Sequence, residues 1–253
     1  MRTFTIGDIH GKFKLLKQVL ERANFDYEND MLITLGDICD GGMDTYLCVE
    51  ELLKIKNRID IIGNHDKWFL TFIDTTIHPD GWRQGGFNTA RSYADKARLE
   101  KLVELNGGDY NVILRPEDVP EAHQDFFKGQ HLYYKDEKNR VFVHGGFYRF
   151  YTLEVTKRNN PEAFYWDREL FEEALSVHKG EKLKFKEDIS EVFLGHTSTL
   201  YWKETEPIHA DIVWNLDTGA GGRDGKLTIM DVDTHEYWQS DVSKELYPVG
   251  DFR

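Results

Sequence analysis

Cysteine is nearly missing: Cys39 and Cys48 are the only two in 253 residues. No disulfide framework is implied, and a reducing compartment, the cytoplasm, is the expected home. Positive charge is also scarce, with 32 Lys and Arg against 45 Asp and Glu for a formal net charge of -13. Gripping a nucleic-acid polymer rests on displaced counterions and clustered cations, so no such partner is expected. A small phosphorylated substrate drawn in by bound metal remains compatible with that charge. No apolar run approaches the roughly 18 residues that span a bilayer, and "MRTFTIGDIHG" has too few apolar residues for a signal peptide. No membrane partner is expected. Repeats and low-complexity tracts are lacking too, and nothing in the sequence speaks to oligomeric state.

What is present is a chain that is 40% hydrophobic and long enough to bury a sizeable core, read as a single domain over 1–253. The first third alternates strand and helix patterns. "RTFTI" reads as a strand and "KFKLLKQVLERA" as a helix, followed by the buried strand "MLITL", the helix "TYLCVEELLKI" and a third strand "IDII" that ends at Gly63. That order implies an α/β fold with a parallel sheet and right-handed crossovers, whose polar chemistry gathers beyond the strands' carboxyl ends. Residues 67–140 read as a mostly helical cap or insertion, with "GDYNVILRPEDVP" as an irregular break. Strand signal resumes at "VFVHGG" and "EVFLGHT". After Asp211, "IVWNLDTGAGG", "KLTIMDVD" and "EYWQSDV" suggest antiparallel strands, so the sheet is mixed or two sheets pack together.

Five predicted strand ends share one chemistry: "GDIHG" (7–11), "GDICDGG" (36–42), "GNHD" (63–66), "HGG" (144–146) and "GHT" (195–197). Residues two apart in an extended segment point the same way, so Asp8 and His10 can converge on one ion. Any one motif is weak, but four histidines, three aspartates and an asparagine on one edge are hard to explain structurally. Oxygen and imidazole ligands without thiolate favour a divalent ion such as Mn²⁺, Fe²⁺ or Zn²⁺. Asp8, His10, Asp37, Asn64, His144 and His196 are too many for one ion with open positions. Two ions sharing a bridging carboxylate would use them all, leave a hydroxide between the metals and support phosphate-ester hydrolysis.

Taken in order, these blocks resemble those of the calcineurin-like metallophosphoesterases, and within them the phosphoprotein phosphatase branch and the related symmetrical diadenosine tetraphosphate hydrolases. "WRQGGFNTARSY", "VPEAHQDFFKGQHLYY" and "LDTGAGG" extend the resemblance over nearly the whole chain. It implies an αββα sandwich, mixed central sheets flanked by helices, with the site at one edge. It also implies one metal on Asp8 and His10, Asp37 bridging, and a second metal on Asn64, His144 and His196, with Mn²⁺ foremost and Fe or Zn as alternatives. His65 would be the general acid, oriented by Asp40.

Two positions depart from the family pattern. Gly41 stands where the family usually has an arginine that clamps phosphate, and Asp66 where the protein-phosphatase branch has Glu. Arg168, in "YWDRE", matches a second family arginine and is expected to grip phosphate with Asn64. Arg83, Arg149 and Arg223 read as surface residues, and Cys39 as a small buried hydrophobe. The expected activity is metal-dependent hydrolysis of phosphomonoesters, serine/threonine protein phosphatase-like, on a phosphorylated protein. A dinucleoside polyphosphate or small phosphorylated metabolite is the alternative, and a non-catalytic phosphate-binding module a third.

Overall fold

The computed structural model describes residues 1–96, 103–106, 109–112, 114–178 and 181–247. The N-terminal pattern folds as β1 (Thr3–Ile6), α1 (Phe13–Arg22), β2 (Met31–Thr34), α2 (Thr45–Leu52), β3 (Asn57–Asp60) and α3 (Asn64–Thr75). Next come α4 (Gly86–Lys96), the hairpin β4 (Val103–Asn106) and β5 (Asp109–Val112), α5 (Glu121–Lys128), β6 (Tyr133–Lys135) and β7 (Arg140–Val143). The last part holds α6 (Leu153–Asn159), α7 (Ala163–Trp166), α8 (Glu169–Ser176), β8 (Glu191–Leu194), β9 (Ile208–Ala210), β10 (Val213–Asn215), β11 (Thr228–Asp231), β12 (Tyr237–Gln239) and α9 (Ser243–Leu246).

Two five-stranded sheets form, ordered β12-β11-β1-β2-β3 and β6-β7-β8-β10-β9. Both are mixed. In the first, β1, β2 and β3 run parallel, β11 pairs antiparallel with β1, and β12 pairs antiparallel with β11. In the second, β7, β8 and β10 run parallel and β6 and β9 close the edges antiparallel.

Strand alternation explains the layers. Phe4, Ile6 and Leu32 face outward onto Leu16, Val19 and Val49 of the helices, whereas Ile33 and Met230 face inward. In the second sheet Val141, Val143, Val192 and Leu194 meet Leu153, Phe164, Leu170 and Phe171 on the outside. Phe142 and Phe193 point between the sheets, stacked at 5.0 Å and 9°. Each sheet thus carries helices on one face and the other sheet on its second face, the expected αββα sandwich.

Three expectations change. The third strand stops at Asp60: the Ile61 amide still donates to the Thr34 carbonyl of β2, but Ile61 also bridges to His131 and the Ile62 amide turns to the His131 carbonyl. Within "GDYNVILRPEDVP", residues 109–112 form a strand, while residues 108 and 113 lie outside the described residues. The segments after Asp211 do not form one antiparallel run: β10 is an interior strand of the second sheet, parallel to β8, and β11 and β12 return to the first. Among the described residues no helix is long and apolar enough to cross a membrane.

Candidate metal centre

The loops after β1, β2, β3, β7 and β8 meet at one edge of the sandwich, so the five strand-end motifs converge as their alignment predicts. Two donor clusters result, Asp8 with His10 and Asp37, and Asp37 with His144 and His196. Asp37 belongs to both. Its Oδ1 accepts the His65 amide at 3.0 Å. Its Oδ2 lies 3.4 Å from His144 Nε2, 3.7 Å from His10 Nε2 and 4.0 Å from His65 Nε2, buried and without a hydrogen-bond partner among the described residues. Leaving a buried carboxylate oxygen unmatched is costly unless a cation meets it.

The imidazoles are oriented from behind. His144 Nδ1–H donates to the Leu35 carbonyl at 2.7 Å, and His10 Nδ1–H to the Cys39 and Asp40 carbonyls at 3.1 Å each. In both rings this turns Nε2 toward Asp37, the arrangement by which outer partners fix a ligand's tautomer. Around His144 Nε2 also stand Asn64 Oδ1 at 3.1 Å and His196 Nδ1 at 3.2 Å. The Asp8 carboxylate accepts the His196 amide at 3.2 Å, tying the two sheets together across the site. The donor set of carboxylate, amide oxygen and imidazole fits two divalent ions of the Mn²⁺, Fe²⁺ or Zn²⁺ kind.

Backbone geometry serves the same end. His10, Asp37, Asp40 and His196 all have positive φ, between 48° and 70°, a region that non-glycine residues enter at a cost and that clusters at functional sites. Close approach explains two motif glycines: a Cβ at Gly63 would overlap Asp37 Oδ1, and one at Gly195 would overlap Asp8 Oδ1.

Electrostatics follow from burial and crowding. Burial pushes Asp8 well above the usual carboxylate range, helped by Asp217 and Asp37. For Asp37 burial acts the same way, yet His144, His65 and His10 more than offset it and hold the carboxyl well below that range. Burial would lower His144, but Asp37 and Asp8 lift it to about 9.

His65 stands beside these donors. Its Nδ1–H donates to Asp40 Oδ2 at 2.8 Å. Asp40 Oδ1 in turn accepts Trp82 Nε1–H at 3.0 Å and the Thr89 hydroxyl at 2.7 Å. Trp82 and Thr89 lie in "WRQGGFNTARSY", and holding Asp40 is a role for that block that the sequence alone did not reveal. Among the described residues Asp66 has no hydrogen bond to a candidate ligand's side chain, yet it matters. Its carboxylate accepts the Ile38, Cys39 and Gly63 amides and the Gln130 side-chain amide at 2.9–3.3 Å, fastening the Asp37 loop to the start of α3. Burial and nearby Asp37 push it up to about 6. Burial and the carboxylates of Asp40 and Asp66 push the Cys39 thiol well up, as expected of a small buried hydrophobe.

The arginines are placed less centrally. Arg168 is exposed at the start of α8 and lines a cleft with Trp166, Tyr148 and Asn160. Trp166 brings that cleft against the centre, its ring 5.7 Å from that of His196. Arg149 is tied to Glu173 at 2.6 Å, and Arg83 and Arg223 are exposed. Gly41 has φ +98°, a conformation that an arginine would adopt only with strain.

A carboxylate shared by two clusters of oxygen and imidazole donors is the layout of a dinuclear metal hydrolase. The family model described as calcineurin-like phosphoesterase matches residues 1–204, and the chain belongs to that family of hydrolases acting on phosphoester bonds. A serine/threonine-protein phosphatase 1 of Salmonella typhimurium is 27% identical over 171 residues, 66% of this chain and 68% of that one. A symmetrical bis(5'-nucleosyl)-tetraphosphatase of Proteus mirabilis is 34% identical over 160 residues, 62% of this chain but 49% of its own length. The fold resembles a crystal structure of a metallophosphoesterase from Sphaerobacter thermophilus, with TM-score 0.54 at 15% identity over 99% of this chain and 95% of that one. A cold-active protein-tyrosine phosphatase of a Shewanella species gives the same TM-score and identity over 95% and 80% of the two chains.

Proposed function

We propose that the protein is a metal-dependent phosphomonoesterase acting on phosphoserine or phosphothreonine in proteins. The observation that carries the reading is Asp37 Oδ2, buried, without a hydrogen-bond partner within normal geometry among the described residues and faced by three imidazole nitrogens within 4.0 Å. Asp8 and His10 would hold one divalent ion, Asn64, His144 and His196 a second, and Asp37 both, with Mn²⁺ the first choice and Fe or Zn the alternatives. Ions bound there would neutralise phosphoryl charge and supply an activated water.

The remaining work falls to the chain. His65, steadied through Nδ1 by Asp40, keeps Nε2 for the ester oxygen and acts as the acid. Asn64 and Arg168 hold the phosphate oxygens, Arg168 in place of the arginine missing at Gly41. The water oxygen bonds to phosphorus, the ester P–O bond breaks, and the departing oxygen takes the His65 proton, leaving an alcohol and inorganic phosphate. The reading includes one domain over 1–253, with 67–140 as its cap, in the cytoplasm.

Replacing His65→Asn should leave Mn²⁺ binding by calorimetry intact while turnover of a phosphoserine peptide falls at least about 100-fold. Normal turnover would remove His65 from the role. The Proteus relative, named as a tetraphosphatase and 34% identical, favours a second reading, hydrolysis of a dinucleoside polyphosphate. Assaying a phosphopeptide beside a dinucleoside tetraphosphate separates the two. No turnover of either with any divalent metal would favour a non-catalytic phosphate-binding module.

A further inference from the structure

Asp40, which takes the Nδ1–H of His65, sits in the left-handed region at φ +67° without glycine's freedom. A residue stays there only where its surroundings over-determine it. Here one hydroxyl binds both ends of the aspartate: Thr89 Oγ1 accepts the Asp40 amide at 2.8 Å and donates to Oδ1 at 2.7 Å. The Trp82 indole N–H donates to the same oxygen at 3.0 Å. Asp40, Trp82 and Thr89 are all fully buried, so a donor removed there is not readily replaced by solvent. The Trp82 ring is in turn stacked on Phe69 at 5.6 Å and 29° and on Phe72 at 5.1 Å and 28°. Both phenylalanines belong to α3, whose first turn carries His65. The imidazole and the carboxylate that orients it are thus referred to one helix, and the indole closes the circuit. One residue before Thr89, the Asn88 side-chain amide donates to the Gly41 carbonyl and ties α4 to the same loop.

We propose that Thr89 and Trp82 are positioning residues for the proton donor, acting through Asp40, and that this bracket fits the centre to esters of alcohols such as phosphoserine. This rests on the phosphomonoesterase reading above and deepens it. An alkoxide is too basic to depart alone, so its ester is cleaved only as fast as His65 Nε2 delivers a proton to the breaking P–O bond. The p-nitrophenolate ion is stable by itself and needs that proton far less. Losing one donor lets the Asp40 carboxylate turn and the imidazole follow it. Displacing a reacting group by about 1 Å is enough to cost rate steeply.

The test compares the Mn²⁺-loaded full chain with its Thr89→Val, Thr89→Ser and Trp82→Phe variants on a phosphoserine peptide and on p-nitrophenyl phosphate. In Thr89→Val the ratio of kcat/KM for the peptide to that for the aryl ester should fall at least about 10-fold. The fall should lie in kcat, with the peptide's KM little changed. Trp82→Phe should move the ratio the same way, and Thr89→Ser, which keeps the hydroxyl, should restore it. A second readout needs no turnover. In the Zn²⁺-loaded chain the downfield proton NMR signal of His65 Nδ1–H, identified by its loss in His65→Asn, should be sharp in the wild type and in Thr89→Ser. It should be broadened by exchange in Thr89→Val. Equal falls on both esters would mark general damage to the site and overturn the bracket. An unchanged ratio in both Thr89→Val and Trp82→Phe, or a sharp Nδ1–H signal in Thr89→Val, overturns it too. Mn²⁺ calorimetry checks each variant, and if Thr89→Val fails to fold or loses metal, Trp82→Phe is read by the same ratio and signal. No turnover of either ester by the wild type would sink the phosphatase reading, while the NMR signals would still decide the bracket.

Discussion

At the scale of single residues, Gly41 is the position where sequence and geometry say different things. Compared with its family, the chain lacks an arginine there, which suggests restoring one. Its φ of +98° makes that repair unfavourable, because a side chain in the left-handed region costs about 1–2 kcal/mol. Gly41→Arg is therefore expected to lower thermal stability without lowering KM for a phosphopeptide. A clear fall in KM would show that the loop relaxes and that the cation is simply missing. Asp40 makes the complementary point. Its contact with His65 was expected from the resemblance, but Trp82 and Thr89 were not. They lie 42 and 49 positions away along the chain, and no local spacing rule reaches that far.

At the scale of elements, loops are fastened by side chains outside the centre. Asp66, in the first turn of α3, gathers four N–H donors from the Asp37 loop, Gly63 and Gln130. Asp66→Ala would leave these groups unmatched, and the expected cost is about 3 kcal/mol or more in urea unfolding, with weaker Mn²⁺ binding. Undiminished metal affinity would mean the loop holds itself. On α2, Glu51 is buried, yet Lys54, Tyr27 and Lys17 bring its carboxyl down to about 2. A carboxyl lower in the folded than in the unfolded chain adds stability above about pH 4.5, lost as pH falls from there through about 2. With Lys54 largely exposed, the contribution is about 1 kcal/mol after solvent screening. Glu51→Gln should thus be less stable than wild type at pH 7, and the gap should close toward pH 2.

Legibility at this scale followed the range of the signal. β1, β2, α1 and α2 were readable because apolar spacing and a turn glycine lie within a few residues. The placement of β10 was not, since its partners β8 and β9 give it no different pattern from β11, which pairs with β1. The end of β3 differs because Ile61 and Ile62 continue the apolar run while the chain there turns to His131. The six candidate ligands were readable because each sits next to its strand, and strand ends of parallel sheets meet at one edge.

At the scale of the whole molecule, Asp8, His10, Asp37 and Asn64 come from loops of the first sheet, His144 and His196 from the second. A metal bound by them would clamp the sandwich shut. Anything that binds the folded state alone stabilises it, by about 2.7 kcal/mol at 100 times its Kd. Stripping metal with a chelator should lower Tm, re-adding Mn²⁺ should restore it, and His144→Ala should blunt the response. A Tm indifferent to chelator would argue that no ion bridges the sheets.

The pairing of β1 with β11, Phe4 opposite Asp231 and Ile6 opposite Ile229, also sets a timetable. During synthesis at about 5–20 residues per second, β1 leaves the ribosome roughly 10 to 45 s before its antiparallel neighbour exists. Through that interval β2 and β3 can cover one side of it, but its other edge lies open to any passing strand. The nascent chain is therefore most exposed to mispairing late, when the loops of the centre have already been made and the strand that completes the sheet has not.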